Sequence, residues 1–177
     1  MRRLLLVDDE LSILHSLKRA ISLSAVGHDI EFELFTKPKE AVLRCAEVPF
    51  DLIFSDYRMP DLNGVDFLHI AKEIQPHTAR ILLTGFADFH VIQEAINDAQ
   101  IFRYLLKPWD QASLEECIQL AWEHSDRMRE NERLANLLRE NTLSPEQRER
   151  QRLEREEPGI TQVVWDANGS VSLNDEV

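Results

Sequence analysis

Short apolar runs alternate with amphipathic segments along the first two thirds of the chain. Four of the runs end at polar residues that can carry chemistry, namely Asp8-Asp9, Asp56, Thr84 and Lys107. Short apolar runs of this kind are typical of buried parallel strands, and in an open α/β sheet the ligand site lies off the carboxyl ends of the strands. We therefore expect these side chains to meet in one crevice. Carboxylates, a hydroxyl and an ammonium together suit a divalent cation and a phosphoryl group.

The alternation predicts five strands and five helices in the first 122 residues. The predicted strands are Arg3–Val7, Ile30–Phe35, Asp51–Ser55, Ala79–Leu83 and Ile101–Leu106. Apolar positions at helical spacing mark helices around Ile13–Ile21, Ala41–Cys45, Phe67–Ala71, Val91–Ile96 and Leu114–Ala121. Gly27 predicts the end of the first helix, Pro38 the first turn of the second and Pro76 the end of the third. Strand-helix alternation requires right-handed crossovers and a parallel sheet.

Composition narrows the class of protein. A chain of 177 residues suits one globular domain with an appendage. No apolar stretch approaches the roughly 18 residues of a membrane span, and the N-terminal segment is too short for a signal peptide, so we expect a cytoplasmic protein with no membrane partner. Cys45 and Cys117 lack Cys-x-x-Cys spacing, which favours reduced thiols. The net charge of −12 disfavours direct binding of nucleic acid.

The polar residues also form a set of motifs in a fixed order. They are Asp8-Asp9-Glu10, Asp56 with Met59-Pro60 and Gly64, Thr84-Gly85, and Tyr104–Pro108. Together they resemble the receiver domain of two-component response regulators over roughly residues 1–122. Within that family, Thr84–Asp88 and Arg103–Trp109 are similar to receivers with Thr-Gly-aromatic-Ala-Asp and Arg-Tyr-Leu-x-Lys-Pro-Trp signatures. The resemblance implies a flavodoxin-like, doubly wound five-stranded parallel sheet of order 2-1-3-4-5.

Three carboxylates in one crevice require a positive charge. At about 4 to 5 Å and an effective dielectric near 20, each like-charge pair among Asp8, Asp9 and Asp56 costs on the order of 3 to 4 kcal/mol. Ligands that are all oxygen favour Mg²⁺. The resemblance implies that Asp9 and Asp56 bind the metal directly and that Asp8 acts through water. The backbone carbonyl of Arg58 would complete the protein ligands.

The resemblance also implies a role for each remaining residue. Asp56 would be the phospho-acceptor, a carboxylate nucleophile that receives the phosphoryl group from a sensor histidine kinase or a phosphotransfer protein. Lys107 and the metal would neutralise the phosphoryl oxygens, and Thr84 would donate a hydrogen bond to one of them. Thr84 and Tyr104 would form the switch that reports phosphorylation.

Beyond the predicted receiver, residues 123–157 are predicted to form a helical extension. The fifth helix continues through Leu134, Leu137 and Leu138 without a breaker, but its heptads are imperfect, so a dimeric coiled coil and an amphipathic tail both remain possible. Ser144-Pro145 predicts the start of a second, charged helix through Glu157. In the tail, residues 158–177, the turn sequence Asp166–Gly169 predicts a short β-hairpin.

Two classes of function fit this organisation. The first is a phosphorylation-dependent response regulator that signals through its tail by partner binding or as a homodimer through the fifth helix and its extension. The chain could also be a receiver fragment of a longer regulator with an enzymatic or DNA-binding output. The second class, an Asp-nucleophile phosphatase, needs an Asp two places after the nucleophile. Arg58 follows Asp56 at that spacing and Glu10 follows Asp8, so we expect no enzyme beyond slow self-phosphorylation and self-dephosphorylation.

Overall fold

The computed structural model describes residues 1–85, 100–142, 152–153, 156, 164–165 and 171–172. The chain divides into two compact units, Met1–Glu130 and Asn131–Val177. In the part of the chain that the structure describes, no helix is both long enough and apolar enough to cross a membrane.

The first unit contains a five-stranded parallel sheet in the order β2-β1-β3-β4-β5, which confirms the predicted fold class. The strands are β1 (Arg2–Val7), β2 (Ile30–Phe35), β3 (Leu52–Asp56), β4 (Ala79–Thr84) and β5 (Arg103–Leu106). The helices are α1 (Leu11–Ser22), α2 (Pro38–Glu47), α3 (Gly64–Ile74) and a long helix, Gln111–Thr142. The helix predicted around Val91–Ile96 lies outside the described residues.

Alternation of side chains along the central strands creates two hydrophobic cores, one on each face of the sheet. On β1, Leu4 and Leu6 pack into a cluster with residues of α1 and the long helix. Leu5 and Val7 belong to the opposite cluster, with residues of α2 and α3. Successive side chains of a strand point to opposite faces, so a strand covered by helices on both sides must be apolar throughout. This is why the apolar runs predicted the strands well.

Several strands differ from the prediction by one residue at an end, and two element boundaries differ by more. The first helix ends at Ser22 and not at Gly27, because the backbone N–H and the hydroxyl of Ser24 both donate to the carbonyl oxygen of Ile21, at 3.1 and 2.6 Å. This side chain closes the helix before the glycine is reached. The last strand begins at Arg103, two residues later than predicted, because the chain bends at Phe102.

The second unit contains the last part of the long helix and a short β pair. Residues 152–153 and 156 are helical, and Arg152 Nε donates to Glu156 Oε1 at 3.1 Å, an i,i+4 ion pair in the predicted charged helix. Strands β6 (Val164–Trp165) and β7 (Val171–Ser172) pair antiparallel, as the predicted hairpin requires. The residues predicted to form the turn, Asp166–Gly169, and most of those predicted for the charged helix lie outside the described residues.

Candidate functional site

The carboxyl ends of β1, β3 and β5 bring three predicted site residues together. Asp8 follows β1, Asp56 ends β3 and Lys107 follows β5. Lys107 Nζ donates to Asp8 Oδ2 at 2.6 Å and lies 2.5 Å from Asp56 Oδ1. Both carboxylates are therefore directed at one cationic atom. The positive charge that the sequence required is supplied in this structure by Lys107.

Burial strengthens the electrostatic interaction between Lys107 and the two carboxylates. Asp8 is only 1% exposed and Asp56 is 7% exposed. Burial raises the pKa of Asp8, and this effect exceeds the lowering by the Lys107 ammonium and by the N–H of Glu10. Burial alone would lower the pKa of Lys107, but its contacts with Asp56 and Asp8 outweigh this and the pKa is raised. Lys107 is therefore held as a cation by two carboxylates that are largely removed from water.

Each of the two carboxylates also accepts a hydrogen bond from a backbone amide two residues later. The N–H of Glu10 donates to Asp8 Oδ1 at 2.9 Å, and the N–H of Arg58 donates to Asp56 Oδ2 at 2.7 Å. The sequence interpretation missed these amides as partners. The available signal was an Asp at the end of a strand, since Asp side chains commonly bond to their own backbone two residues further on. The bonds fix the orientation of both carboxylates.

Gly64, which belongs to the motif around Asp56, allows α3 to begin directly against the end of β3. The N–H of Gly64 donates to the carbonyl oxygen of Tyr57 at 2.9 Å. A Cβ at position 64 would lie 2.0 Å from the carbonyl oxygen of Asp56. Asn63 caps the helix by accepting from the N–H groups of Val65 and Asp66. A residue with a side chain at position 64 would therefore displace the backbone that carries Asp56.

The two predicted switch residues lie on neighbouring strands. Thr84 is buried at the end of β4, and its carbonyl oxygen accepts from the N–H of Lys107 at 2.8 Å, which ties the lysine to this strand. Tyr104, on β5, pairs with Leu82 and is 40% exposed. The peptide bond between Lys107 and Pro108 is cis.

The predicted metal ligands are only partly brought together. Asp9 is exposed, and it forms no ion pair or side-chain hydrogen bond with the other described residues. Among residues 1–85 and 100–142, no group of three His, Cys, Asp or Glu side chains is placed to hold a metal ion. The donors near Lys107 are nevertheless all oxygen, and two carboxylates already converge on one cation. This donor chemistry fits Mg²⁺.

A flavodoxin-like sheet with an acidic pocket and a lysine at the carboxyl ends of its strands is typical of a receiver domain. The family model for the response regulator receiver domain matches residues 4–119. The chain therefore belongs to the response regulator receiver domain family, whose members are signalling domains of two-component systems.

Three similar proteins illustrate this membership. The chain is 34% identical over 151 residues to the hydrogenase transcriptional regulatory protein HoxA of Cupriavidus necator, a match that covers 84% of the chain and 30% of HoxA. A signal receiver domain of an HD domain-containing protein from Pseudomonas fluorescens Pf-5 is 33% identical with a TM-score of 0.67, covering 73% of this chain and 92% of that one. A response regulator receiver domain protein from Clostridium thermocellum is 28% identical with a TM-score of 0.65, covering 72% and 99%. The chain thus spans less than a third of the length of HoxA.

Proposed function

We propose that this chain is a phosphorylation-dependent response regulator that accepts a phosphoryl group on Asp56. The observation that supports this is the convergence of Asp56 Oδ1 and Asp8 Oδ2 on Lys107 Nζ, at 2.5 and 2.6 Å. The donor would be a phosphohistidine of a sensor histidine kinase or of a phosphotransfer protein. A carboxylate oxygen of Asp56 attacks the phosphorus atom, the phosphorus–nitrogen bond to the histidine breaks, and an acyl phosphate forms.

Residues of the pocket would stabilise the transferred group. Receiver domains generally bind Mg²⁺ at the acidic pocket. Here Asp8, Asp9, Asp56 and the carbonyl of Arg58 would hold it, and when bound it would supply positive charge next to the phosphoryl oxygens. Lys107 would contact those oxygens from its present position beside Asp56.

The switch residues would carry the signal away from the site. Thr84 is buried at the end of β4, where its hydroxyl could donate to a phosphoryl oxygen once Asp56 is modified. Movement of Thr84 would leave space for the half-exposed Tyr104 on the neighbouring strand to turn inward. This change would reshape the surface of β5 and of the long helix.

Labelling of Asp56 tests the proposed acceptor directly. Acetyl phosphate or beryllofluoride, each with Mg²⁺, should modify or occupy the wild-type chain, as measured by intact mass or by fluorine NMR. Asp56→Asn should abolish both reactions because an amide is a poor nucleophile and a poorer metal ligand. Asp61→Asn is the matched control, an exposed aspartate of the same loop. Labelling of Asp56→Asn at the wild-type rate would refute the assignment.

For the output we propose a homodimer through the long helix and its extension. Leu134, Leu137 and Leu138 are exposed by 45%, 42% and 66% and lie at i, i+3 and i+4 spacing, as an association seam would require. Phosphorylation would shift the association equilibrium by about 1 to 3 kcal/mol, the usual range of coupling between two sites. Sedimentation of the full chain, and of a truncation after Glu130, with and without beryllofluoride tests this. An association state that is indifferent to both changes would contradict the proposal.

A second candidate is that the chain is the receiver part of a longer regulator. The observation that favours it is coverage, since the chain matches only 30% of HoxA and 26% of the transcriptional regulatory protein ZraR of Salmonella typhimurium. An antibody against the receiver would distinguish the two in cells of the source organism, because the chain alone has a mass of 20.6 kDa. In either case we propose no direct nucleic-acid contact for the residues of this chain, whose net charge is −12.

A further inference from the structure

The long helix stays attached to the first unit for two turns beyond Ala121. Trp122, Ser125, Asp126 and Arg129 have i, i+3, i+4 and i+7 spacing and therefore share one face of the helix. Their partners lie at the N-terminal ends of β1, β3 and β4, the three central strands, and thus at the end of the sheet opposite to Asp56. We call these four residues and their partners the base lock.

Ser125 is the centre of the base lock. Its side chain is fully buried, and its hydroxyl accepts from the N–H of Ala79 at 3.2 Å. The hydroxyl hydrogen faces the carbonyl oxygens of Asp51 at 2.9 Å and His77 at 3.0 Å. One side chain thus satisfies backbone groups from the segments that lead into β3 and β4. A buried backbone group that loses its hydrogen-bond partner destabilises the fold, so Ser125 should contribute most of the stability of the base lock.

Two ion pairs flank Ser125 on the same face. Arg129 Nη1 donates to Asp51 Oδ1 at 2.5 Å, and its Nη2 donates to the carbonyl oxygen of Phe50 at 3.2 Å. Arg2 makes a bidentate contact with Asp126, at 3.1 and 2.8 Å, and its guanidinium lies 4.8 Å from the centre of the Trp122 ring. The Asp51 side chain is only 14% exposed, so its contact with Arg129 is stronger than a surface ion pair. The more exposed pair of Arg2 and Asp126 mainly orients the helix around the buried hydroxyl.

We propose that the base lock makes Trp122–Arg129 an integral part of the receiver and holds this length of helix rigid. We further propose, on the basis of the proposed function, that a rigid helix passes a change at Asp56 to the exposed Leu134, Leu137 and Leu138 as a movement of the whole helix. We call these three leucines the association seam. Without the contacts of the base lock, the same change would cause local unfolding of the helix and would not reach the seam. Ser125 and Arg129 are therefore positioning residues, remote from the phosphoryl chemistry.

Hydrogen exchange in the full chain tests the lock itself. Ser125→Ala and Arg129→Gln should each accelerate exchange of the amides of residues 122–130 at least ten-fold. Amides of β3 should stay within two-fold of wild type, because the lock controls local opening. Alanine has a higher helix propensity than serine, so faster exchange in Ser125→Ala cannot arise from propensity. Arg127→Gln, an exposed arginine on the same two turns, is the matched control and should exchange like wild type.

Two results would overturn the lock. One is unchanged exchange of residues 122–130 in both variants. The other is equal acceleration of these amides and of β3, because that pattern means that the residues only contribute to global stability.

A separate measurement tests whether the base lock transmits a change at Asp56 to the association seam. Ser125→Ala should bind beryllofluoride at Asp56 within two-fold of the wild-type affinity, while the beryllofluoride-dependent change in association constant falls at least five-fold. A full wild-type change in this variant would overturn transmission through the lock. If the wild-type chain shows no such change, the proposed output and the transmission step both fail, and the exchange experiment still decides whether the lock exists.

Discussion

Lys107 Nζ lies 2.5 Å from Asp56 Oδ1 while it also donates to Asp8 Oδ2 at 2.6 Å. One ammonium therefore balances two carboxylates that are almost completely buried. The residue that would later contact the phosphoryl group already serves as a counter-ion in the unmodified pocket. A bound metal ion and Lys107 would share this task, which makes stability depend on both.

Replacement of Lys107 should therefore destabilise the chain, and bound Mg²⁺ should restore part of the lost stability. We expect Lys107→Met to lower the free energy of unfolding by about 2 to 4 kcal/mol in EDTA, because buried carboxylates are left without their cation. Saturating Mg²⁺ should recover more stability in this variant than it adds to wild type. Urea unfolding with and without the metal measures both effects. Lys39→Met, an exposed lysine on α2, should change stability by less than about 0.5 kcal/mol, and a Lys107→Met chain as stable as wild type in EDTA would count against the argument.

The sequence predicted the convergence of Asp8, Asp56 and Lys107 because the carboxyl ends of parallel strands share one edge of the sheet. It could not predict that one ammonium pairs with both carboxylates, since that depends on the distances across the sheet. Nor could it separate the buried Asp8 from the exposed Asp9, because residues next to each other in sequence face different directions. The structure brings the side chains of Asp8, Asp56 and Lys107 together, but the role of every site residue stays a prediction: Asp8, Asp9, Asp56, Arg58, Thr84, Tyr104 and Lys107.

Errors at element ends have local causes that the pattern of apolar residues does not record. Gly27 is a plausible helix terminator, but the hydroxyl of Ser24 ends α1 earlier by bonding to Ile21. Ser125 was missed for a similar reason, since a serine in a helix is usually solvent-exposed. Only the tertiary structure shows which backbone groups a polar side chain can reach.

Gly64 should tolerate no side chain. In Gly64→Ala the new Cβ would lie 2.0 Å from the carbonyl oxygen of Asp56 and 2.8 Å from its carbonyl carbon, which are backbone atoms that cannot rotate away. We expect a loss of at least about 2 kcal/mol in the free energy of unfolding. Beryllofluoride affinity should fall as well, because the strain acts on the acceptor residue itself. Glu73→Ala, at an exposed position of α3, controls for alanine in this helix, and equal stability of the two variants would show that the contact is relieved without cost.

Gln75 should be a stabilising residue although it lies far from the site. Its Nε2 donates to the carbonyl oxygens of Cys45 and Val48, at 2.6 and 2.7 Å, and its Oε1 accepts from the N–H of Phe50 at 2.8 Å. Gln75→Ala leaves these backbone groups without a side-chain partner, so we expect a loss of about 1 to 3 kcal/mol. In Gln119→Ala, which removes an exposed glutamine, the urea midpoint should hardly move. Similar midpoints for the two variants would show that water replaces Gln75 effectively.

His124 should give the stability of the chain a distinct pH dependence. Its ring stacks on Phe102 with a centroid distance of 4.7 Å. Burial first, and then the positive charges of Arg127 and Arg80, lower the pKa of His124 from its ordinary value of 6.5. The unfolded chain therefore binds a proton at this residue more readily than the folded chain. The stability contributed by neutral His124 is fully present above pH 6.5 and is lost as the pH falls through that value towards the lower pKa of the folded state.

His124→Phe separates this effect from the other groups that titrate, because phenylalanine keeps the ring stacking and cannot take up a proton. Between about pH 8 and pH 5.5 we expect the free energy of unfolding to fall more steeply in wild type than in the variant, as measured by urea unfolding at each pH. Arg127→Gln removes one of the two charges that depress the pKa of His124, so its slope should lie between the other two. Parallel curves for wild type and His124→Phe would mean that this histidine titrates alike in the folded and unfolded chains, and the proposed dependence would be wrong.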